Sequence, residues 1–318
     1  MTDAPGAAPD PAPGPGAVLV LGEALIDLVP TADDAEAHLA QPGGAPANVA
    51  TGLARLSTPS WFAGALGNDG FARSIERRLV SAGVELGLCA RPDLPTALAV
   101  ADPGPEGTGY HFHLQSTATF QLPRRTDVER FAAVYVGGLA AVVEPAASAV
   151  AATARAAAAG SPLLVVDPNV REDRTLDAES GLGRLRELCE LGQVVKASDE
   201  DLARLWPDST PDETCRRLAA GGRLVVLTRG SRGSTAYSAG SGEPVSVPAE
   251  PVEVVNTIGA GDAFTAAVIT WLVSRGVHTG QVPEFTPAPL QDMLGFASRV
   301  AASVVAQAGT EPSLPAPV

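Results

Sequence analysis

Apolar residues along the chain follow two rhythms. Short continuous runs alternate with stretches in which they recur every three or four positions. The run AVLVLG at 17–22 reads as a buried parallel strand, because a strand covered on both faces needs apolar side chains at every position. GGAPANVATGLARL then predicts a helix with Val49, Leu53 and Leu56 on one face. WFAGALG reads as another buried strand. In NDGFARSIERRLVSAG a helix is expected to turn Phe71, Ile75 and Leu79 inward and Arg73, Arg77 and Arg78 outward, stopping at Gly83.

The pattern changes twice. Leu28 to Gln41 is polar and irregular, and Thr96 to Leu122 holds two β-like runs around a Pro/Gly turn with no helix between them, as a small flap outside the main sheet would. After that the alternation returns: AVYVGG, a helix at Glu144–Ala159, PLLVVDPN, a helix around Gly183–Leu191, QVVKAS, a helix at Asp212–Ala220, and RLVVLTRG. A hairpin-like section from Thr235 to Val255 and a helix from Leu290 to about Gln307 complete the chain. Strand and helix in regular alternation with short connections predict an α/β fold built on a doubly wound, mainly parallel sheet.

Composition narrows the partners. The 318 residues are 45% hydrophobic and 18% charged, as in an ordinary globular protein, but the formal net charge is −14. Nucleic acids and anionic membranes are held by Lys and Arg, so neither is expected as a partner. A phosphate-bearing ligand would have to be held locally, by backbone amides, a metal or one or two arginines. Cys89, Cys189 and Cys215 are odd in number and far apart, which suggests neither a disulfide framework nor zinc and points to reduced thiols in a cytoplasmic protein. Residues 1–16 form a Pro/Ala/Gly-rich tail, expected to be disordered and unlike a signal peptide, and no apolar run is long enough to span a bilayer.

The candidate chemistry lies where strands give way to glycines. In VVNTIGAGDAF, Gly259, Ala260 and Gly261 precede a helix that buries Phe264, Ala267, Val268, Trp271 and Leu272, so their amides can form an anion hole for a transferring phosphoryl group. Asp262 directly follows. A carboxylate there can take the proton of an acceptor hydroxyl, although taken alone it is equally a favourable charge in a helix's first turn. Gly43 and Gly44 precede a second helix whose first turn carries Asn48, able both to donate to and accept from a polyol, or to serve as a cap. Asp27 in GEALIDLVP is placed at the carboxyl end of the first strand, where open α/β sheets bind ligands. Asp167, Asn169 and Arg171 in DPNVRE alternate so as to converge on a polyphosphate and its metal. Thr228, Gly230 and Ser231 in LTRGSRG are available to phosphate oxygens. There is no Walker motif, no dinucleotide-binding fingerprint, and Lys196 is the only lysine. His111 and His113 share one face of the flap and read as surface or substrate contacts, since no third zinc ligand is apparent.

Together these motifs resemble the PfkB, or ribokinase-like, family of carbohydrate kinases. GGAPANVATGLARL with FAGALGNDGFA is similar to the family's N-terminal signature and NTIGAGDAF to its C-terminal one, in the right order from about Ala17 to Pro315. GEALIDLVP and DPNVR are most similar to bacterial fructokinases.

The resemblance implies a single ribokinase-like domain over 17–315 with a β lid from about 28–41 and 96–122. It also implies Mg-dependent transfer of the ATP γ-phosphoryl group to a sugar hydroxyl, most similar to fructose phosphorylation. Asp262 would be the base, the Gly259–Gly261 amides the anion hole, and Asp27, Gly43, Gly44 and Asn48 the sugar contacts. Lid residues such as His111, His113 and Gln115 would choose the acceptor. Asn169, Arg171, Thr228, Gly230 and Ser231 would meet the nucleotide, with Ser298 beside adenine where many members carry Asn or His. Asn256 stands where the C-terminal signature usually opens with Asp. With Ile258, Val304, Gly309 and Ser313 it marks the place of a monovalent cation, which puts potassium activation in question. Ser198 and Asp201 replace the Asn and Glu of an N-x-x-E motif that supports magnesium through water. Ribose, 2-keto-3-deoxygluconate or a nucleoside is the alternative acceptor, and a non-catalytic sugar-binding regulator the alternative class. Family members often dimerise through the lid.

Overall fold

The structure, a computed structural model, describes residues 12–31, 37–104, 107–171, 178–277, 282, 285–307, 309 and 311–312. Residues 1–11 of the Pro/Ala/Gly segment, 32–36 of the first lid segment, and Ser313 therefore lie outside the described residues.

An eight-stranded sheet runs in the order β12-β11-β10-β9-β8-β7-β1-β4. β1 (Val18–Leu21), β4 (Ser60–Ala63), β7 (Ala133–Gly137), β8 (Leu163–Asp167), β9 (Val194–Ser198) and β10 (Leu224–Thr228) are parallel; β11 (Ser234–Tyr237) and β12 (Val245–Val247) add an antiparallel edge. Successive side chains point to opposite faces, and both faces are buried. Leu19, Val134, Leu164, Val195 and Val225 pack on one side with α3 (Ala146–Ala159), α4 (Ala178–Leu191), α5 (Asp199–Leu205) and α6 (Pro211–Ala220). Val20, Tyr135, Val165, Val194 and Val226 pack on the other with α1 (Ala45–Arg55), α2 (Gly70–Ala82), α7 (Ala260–Ser274) and α8 (Pro287–Val305). The doubly wound α/β expectation is met. Among the described residues no helix is long and apolar enough to cross a membrane, and all three cysteines are free.

A second sheet, β3-β2-β5-β6, stands apart from the first: β2 (Leu25–Pro30), β3 (His38–Gly43), β5 (Leu98–Gly104) and β6 (Gly107–His113). β2 pairs antiparallel with β3 and parallel with β5. The chain leaves β1 at Leu21 and enters β2 at Leu25 with only three residues between, so Asp27 is not at the end of the first strand as the sequence suggested. It is the third residue of β2, carried into the second sheet because Leu25 and Ile26 are buried against Gly43 and Leu98 in register. The other strand pair is anchored to α2, where the Asp69 carboxylate accepts from Ala72 N at 2.7 Å as a helix cap and from Thr96 N and Oγ1 at 2.8 Å. That pinned first turn sends Ala72 inward, and Phe71, expected inside, is 37% exposed.

α7 is apolar nearly all round and buried between α1 and α8, as expected of a central helix. Small residues set the approach to α1: a methyl group on Gly52 would sit 2.8 Å from the Ala266 Cβ. One turn before that crossing, the first turns of the two helices lie side by side. Asn48 and Asp262 meet there.

Candidate active site

Parallel strands of one sheet end on a common edge, and there loops can carry side chains into a shared space. Here Gly137, Asp167, Ser198 and Thr228 are the last residues of β7, β8, β9 and β10, with Gly137 beside Asp167 and Ser198 beside Thr228 in register. The cleft above them, about 360 Å³, is walled on its other side by the second sheet and floored by the first turns of α1 and α7.

At the floor, Gly259 caps α7 in a left-handed conformation (φ 81°), a turn that glycine enters without steric cost. The Ala260 amide already leans toward Thr257 O at 3.3 Å, whereas Gly261 is exposed at a helix start, where amides have no intrahelical carbonyl to bond. Asp262 is buried behind this turn. Its Oδ2 accepts from Asn48 Nδ2 at 2.8 Å; Gly44, not Asn48, is the helix cap, and the Asn48 Oδ1, without a partner among the described residues, and its second N–H keep both polyol roles open. Burial pushes Asp262 up to about 6, against the Asn48 hydrogen bond that lowers it. A carboxylate so placed is largely ionised at neutral pH yet basic enough to accept a proton.

The second sheet contributes a row across its strands: Gln41, Asp27 and Ala99 are register partners in turn, and Ala99 faces Phe112. Asp27, Ala99, Phe112 and Tyr110 line the cleft, the two rings stacked with centroids 6.1 Å apart. Burial pushes Asp27 up to about 6 as well, with Arg171 opposing and Asp262 adding to the shift. His111, His113 and Gln115, expected toward the ligand, are exposed on the opposite face, where His111 Nε2 lies 3.1 Å from Asp102 Oδ2. The reason is strand alternation: Tyr110, Phe112 and Leu114 are the apolar half of YHFHLQ and take the covered side.

On the strand-end side, Asn169, Arg171, Asp201 and Thr228 line the cleft, whereas Gly230, Ser231 and Ser298 are outside its lining. Gly230 and Ser231 form an exposed turn after β10, and Ser298 Oγ accepts from Glu250 N at 2.9 Å. Asn169 has a left-handed φ of 40°, costly for most side chains and typical of functional turns. The next amide, Val170 N, donates to Asp201 Oδ1 at 2.8 Å, and Asp201 Oδ2 accepts from Ser198 N at 2.9 Å. Asp201 thus ties the turn after β8 to the start of α5 while facing the cleft. Asn256 Oδ1 accepts from Ile258 N at 3.0 Å, and Val255 N and Asn256 N both reach Val305 O, which brings this turn beside Val304 at the end of α8. Gly309 is exposed.

Residues 16–317 match the family model described as pfkB family carbohydrate kinase. The chain belongs to that family. This carbohydrate kinase, a sugar-directed phosphotransferase, is 34% identical to a Klebsiella pneumoniae fructokinase over 271 residues, covering 82% of this chain and 86% of that protein. An Escherichia coli fructokinase is 29% identical over 305 residues, covering 94% and 96%. Among solved structures, a Xylella fastidiosa fructokinase with bound ATP superposes with a TM-score of 0.85 at 25% identity, covering 94% of this chain and 96% of that one. A Vibrio cholerae O395 fructokinase holding fructose, ADP and calcium gives 0.80 at 28% identity over the same shares.

One buried carboxylate of the kinase escaped the sequence reading. Glu23, in the short crossing between the sheets, lines the cleft at 2% exposure and accepts from Leu139 N at 3.1 Å and Ala140 N at 2.9 Å, fixing the turn after β7. Asp167, expected to converge on a polyphosphate, lines the cleft but is fully buried, and its Oδ2 receives Lys196 Nζ at 3.0 Å and Thr265 Oγ1 at 2.9 Å. Burial lifts Glu23 to about 7, above its value in an unfolded chain. Its stabilising contribution is therefore complete in acid and lost as pH rises toward and through 7, by on the order of 3 kcal/mol in all. Urea unfolding at pH 5.5 and 8 measures it: Glu23→Gln is expected to narrow the stability gap between the two, and an unchanged gap excludes Glu23 as its source.

Proposed function

We propose that this chain phosphorylates fructose with MgATP, one kinase domain over residues 17–315 closing its second sheet as a lid over the sugar. The observation that carries the mechanism is the Asn48-held carboxylate of Asp262 in the first turn of α7, directly behind an exposed glycine and across the cleft from Asp27. The Asp27 carboxylate accepts hydrogen bonds from the sugar's hydroxyls and orients it. Asp262 takes the proton of the attacking hydroxyl as the sugar oxygen bonds to the γ-phosphorus and the bond to the ADP oxygen breaks. The amides at Gly259 to Gly261 receive the charge on the transferring group. Asn169, Arg171 and Thr228 meet the polyphosphate. The cleft-facing carboxylate of Asp201 suits a hard divalent cation held through water, and magnesium there would neutralise phosphate charge. The nucleotide and metal assignments draw support from the ATP-bound and the fructose, ADP and calcium-bound relatives. Fructose is favoured over ribose, keto-acids or nucleosides by the fructokinase relatives, with Ala99, Tyr110 and Phe112 shaping the acceptor wall.

The test is ADP release from MgATP with a panel of hexoses, pentoses, 2-keto-3-deoxygluconate and nucleosides. Fructose should give the highest kcat/KM; sugar binding with no ADP from any acceptor would mean a regulator. The pH profile adds a check on the site. Burial lifts both Asp262 and Asp27 to about 6, the charge of Asp262 adding to the rise at Asp27, so activity is expected to fall below that pH with a slope approaching two protons. Asp27→Asn should reduce that slope to one.

A further inference from the structure

Lys196 is the only lysine among the 318 residues, and the fold spends it inside the cleft. It lies on β9 at 6% exposure, its Nζ 3.0 Å from Asp167 Oδ2. A methyl group on Gly261 would come 3.4 Å from that Nζ, so the ammonium lies directly behind the exposed glycine at the start of α7. Thr265 Oγ1 joins the two, 2.9 Å from both Asp167 Oδ2 and Gly261 O.

An ammonium has three hydrogen-bond donors, and only the bond to Asp167 is recorded for this one among the described residues. A buried donor without a partner is costly, so the remaining N–H groups need an acceptor from the cleft. The bland role, a strut between β8 and β9, is a poor reason for the pair, since an apolar pair of similar volume often serves as well without desolvating two charges. A fixed cation beside the helix start adds to the field of the first-turn amides, and in a water-poor site that field acts most on charge that develops during transfer.

We infer that Lys196, held behind Gly261 by Asp167, which Thr265 braces in turn, is a positioning residue whose cation strengthens the anion hole for the transferring phosphoryl group. The inference rests on the kinase reading of this cleft. It assigns to Lys196 a stabilisation of the transition state beyond what it gives to bound sugar.

Lys196→Met keeps the length of the side chain and removes the charge, and Lys196→Met/Asp167→Asn also neutralises the partner left behind. Both are expected to lose about 10²-fold in kcat while the KM for fructose moves less than about threefold. Binding of ADP with aluminium fluoride and fructose, which imitates the transferring group, should weaken far more than binding of ADP alone. Lys196→Arg should recover part of the rate. A second readout needs no variant: in protein labelled with [15N]lysine, Lys196 is the sole side-chain ammonium signal, and it should shift when ADP, aluminium fluoride and fructose bind together. Wild-type activity with undiminished kcat in the double variant, or an ammonium signal indifferent to the complex, overturns the inference. Absence of activity in the wild type would instead count against the kinase reading.

Discussion

Asp262→Asn is expected to lower kcat by about 10²–10⁴-fold while fructose still binds. The substitution is close to isosteric, and its amide oxygen can still accept from Asn48 Nδ2, the contact that Oδ2 makes at 2.8 Å. What it loses is basicity: the carboxylate, lifted by burial to about 6, is replaced by a group that cannot take the sugar's proton. Steady-state rates with calorimetric titration of fructose separate the two effects. A variant with near-normal turnover would remove Asp262 from the role of base, and one that no longer bound sugar would show that it anchors the substrate.

The second large effect is on the sugar itself. Asp27→Ala removes a charged acceptor, and a hydrogen bond to a charged group is worth about 1.5–3 kcal/mol, so the KM for fructose should rise by about 10- to 150-fold. Gly43→Ala should act in the same direction without touching the carboxylate chemically. A Cβ at Gly43 would fall 1.9 Å from Asp27 Oδ2, so the acid must swing away from its place. Because Leu25 and Gly43 are direct partners in the β2–β3 ladder, the strands have little freedom to part instead. If Gly43→Ala left KM unchanged while Asp27→Ala raised it, the sugar would be using Asp27 in a different rotamer from the one described.

The sheet, the flanking helices and the glycine turns were legible because each is a local pattern. Apolar runs, helical spacing and glycines ahead of a helix are all written within a dozen residues. Chemistry that depends on non-local register was harder to see. Nothing within QVVKAS says that Lys196 meets Asp167, because that contact exists only once β8 and β9 lie side by side. Nothing local marks Glu23 either; its partners are amides more than a hundred residues away in sequence. The flap left two readings open, surface or substrate contact, for a different reason. His111 and Gln115 are the chemically versatile residues of their strand, but the fold chose its covered side by apolarity, and Tyr110 and Phe112 took it. The place of Asp27 in another sheet was not legible because the three residues after Leu21 contain no turn signal strong enough to announce a change of layer.

That change of layer has an evolutionary reading. The residues proposed to touch the sugar's outer face sit on β2, β5 and β6, while those proposed to move the phosphoryl group sit on the large sheet's edge and on α7. The chain crosses between the two sets at only a few places among the described residues. Mutations in the four small strands can therefore explore new acceptors while the transfer apparatus is inherited intact, and a chimera carrying a foreign small sheet on this large one should change its diet before it loses its trade.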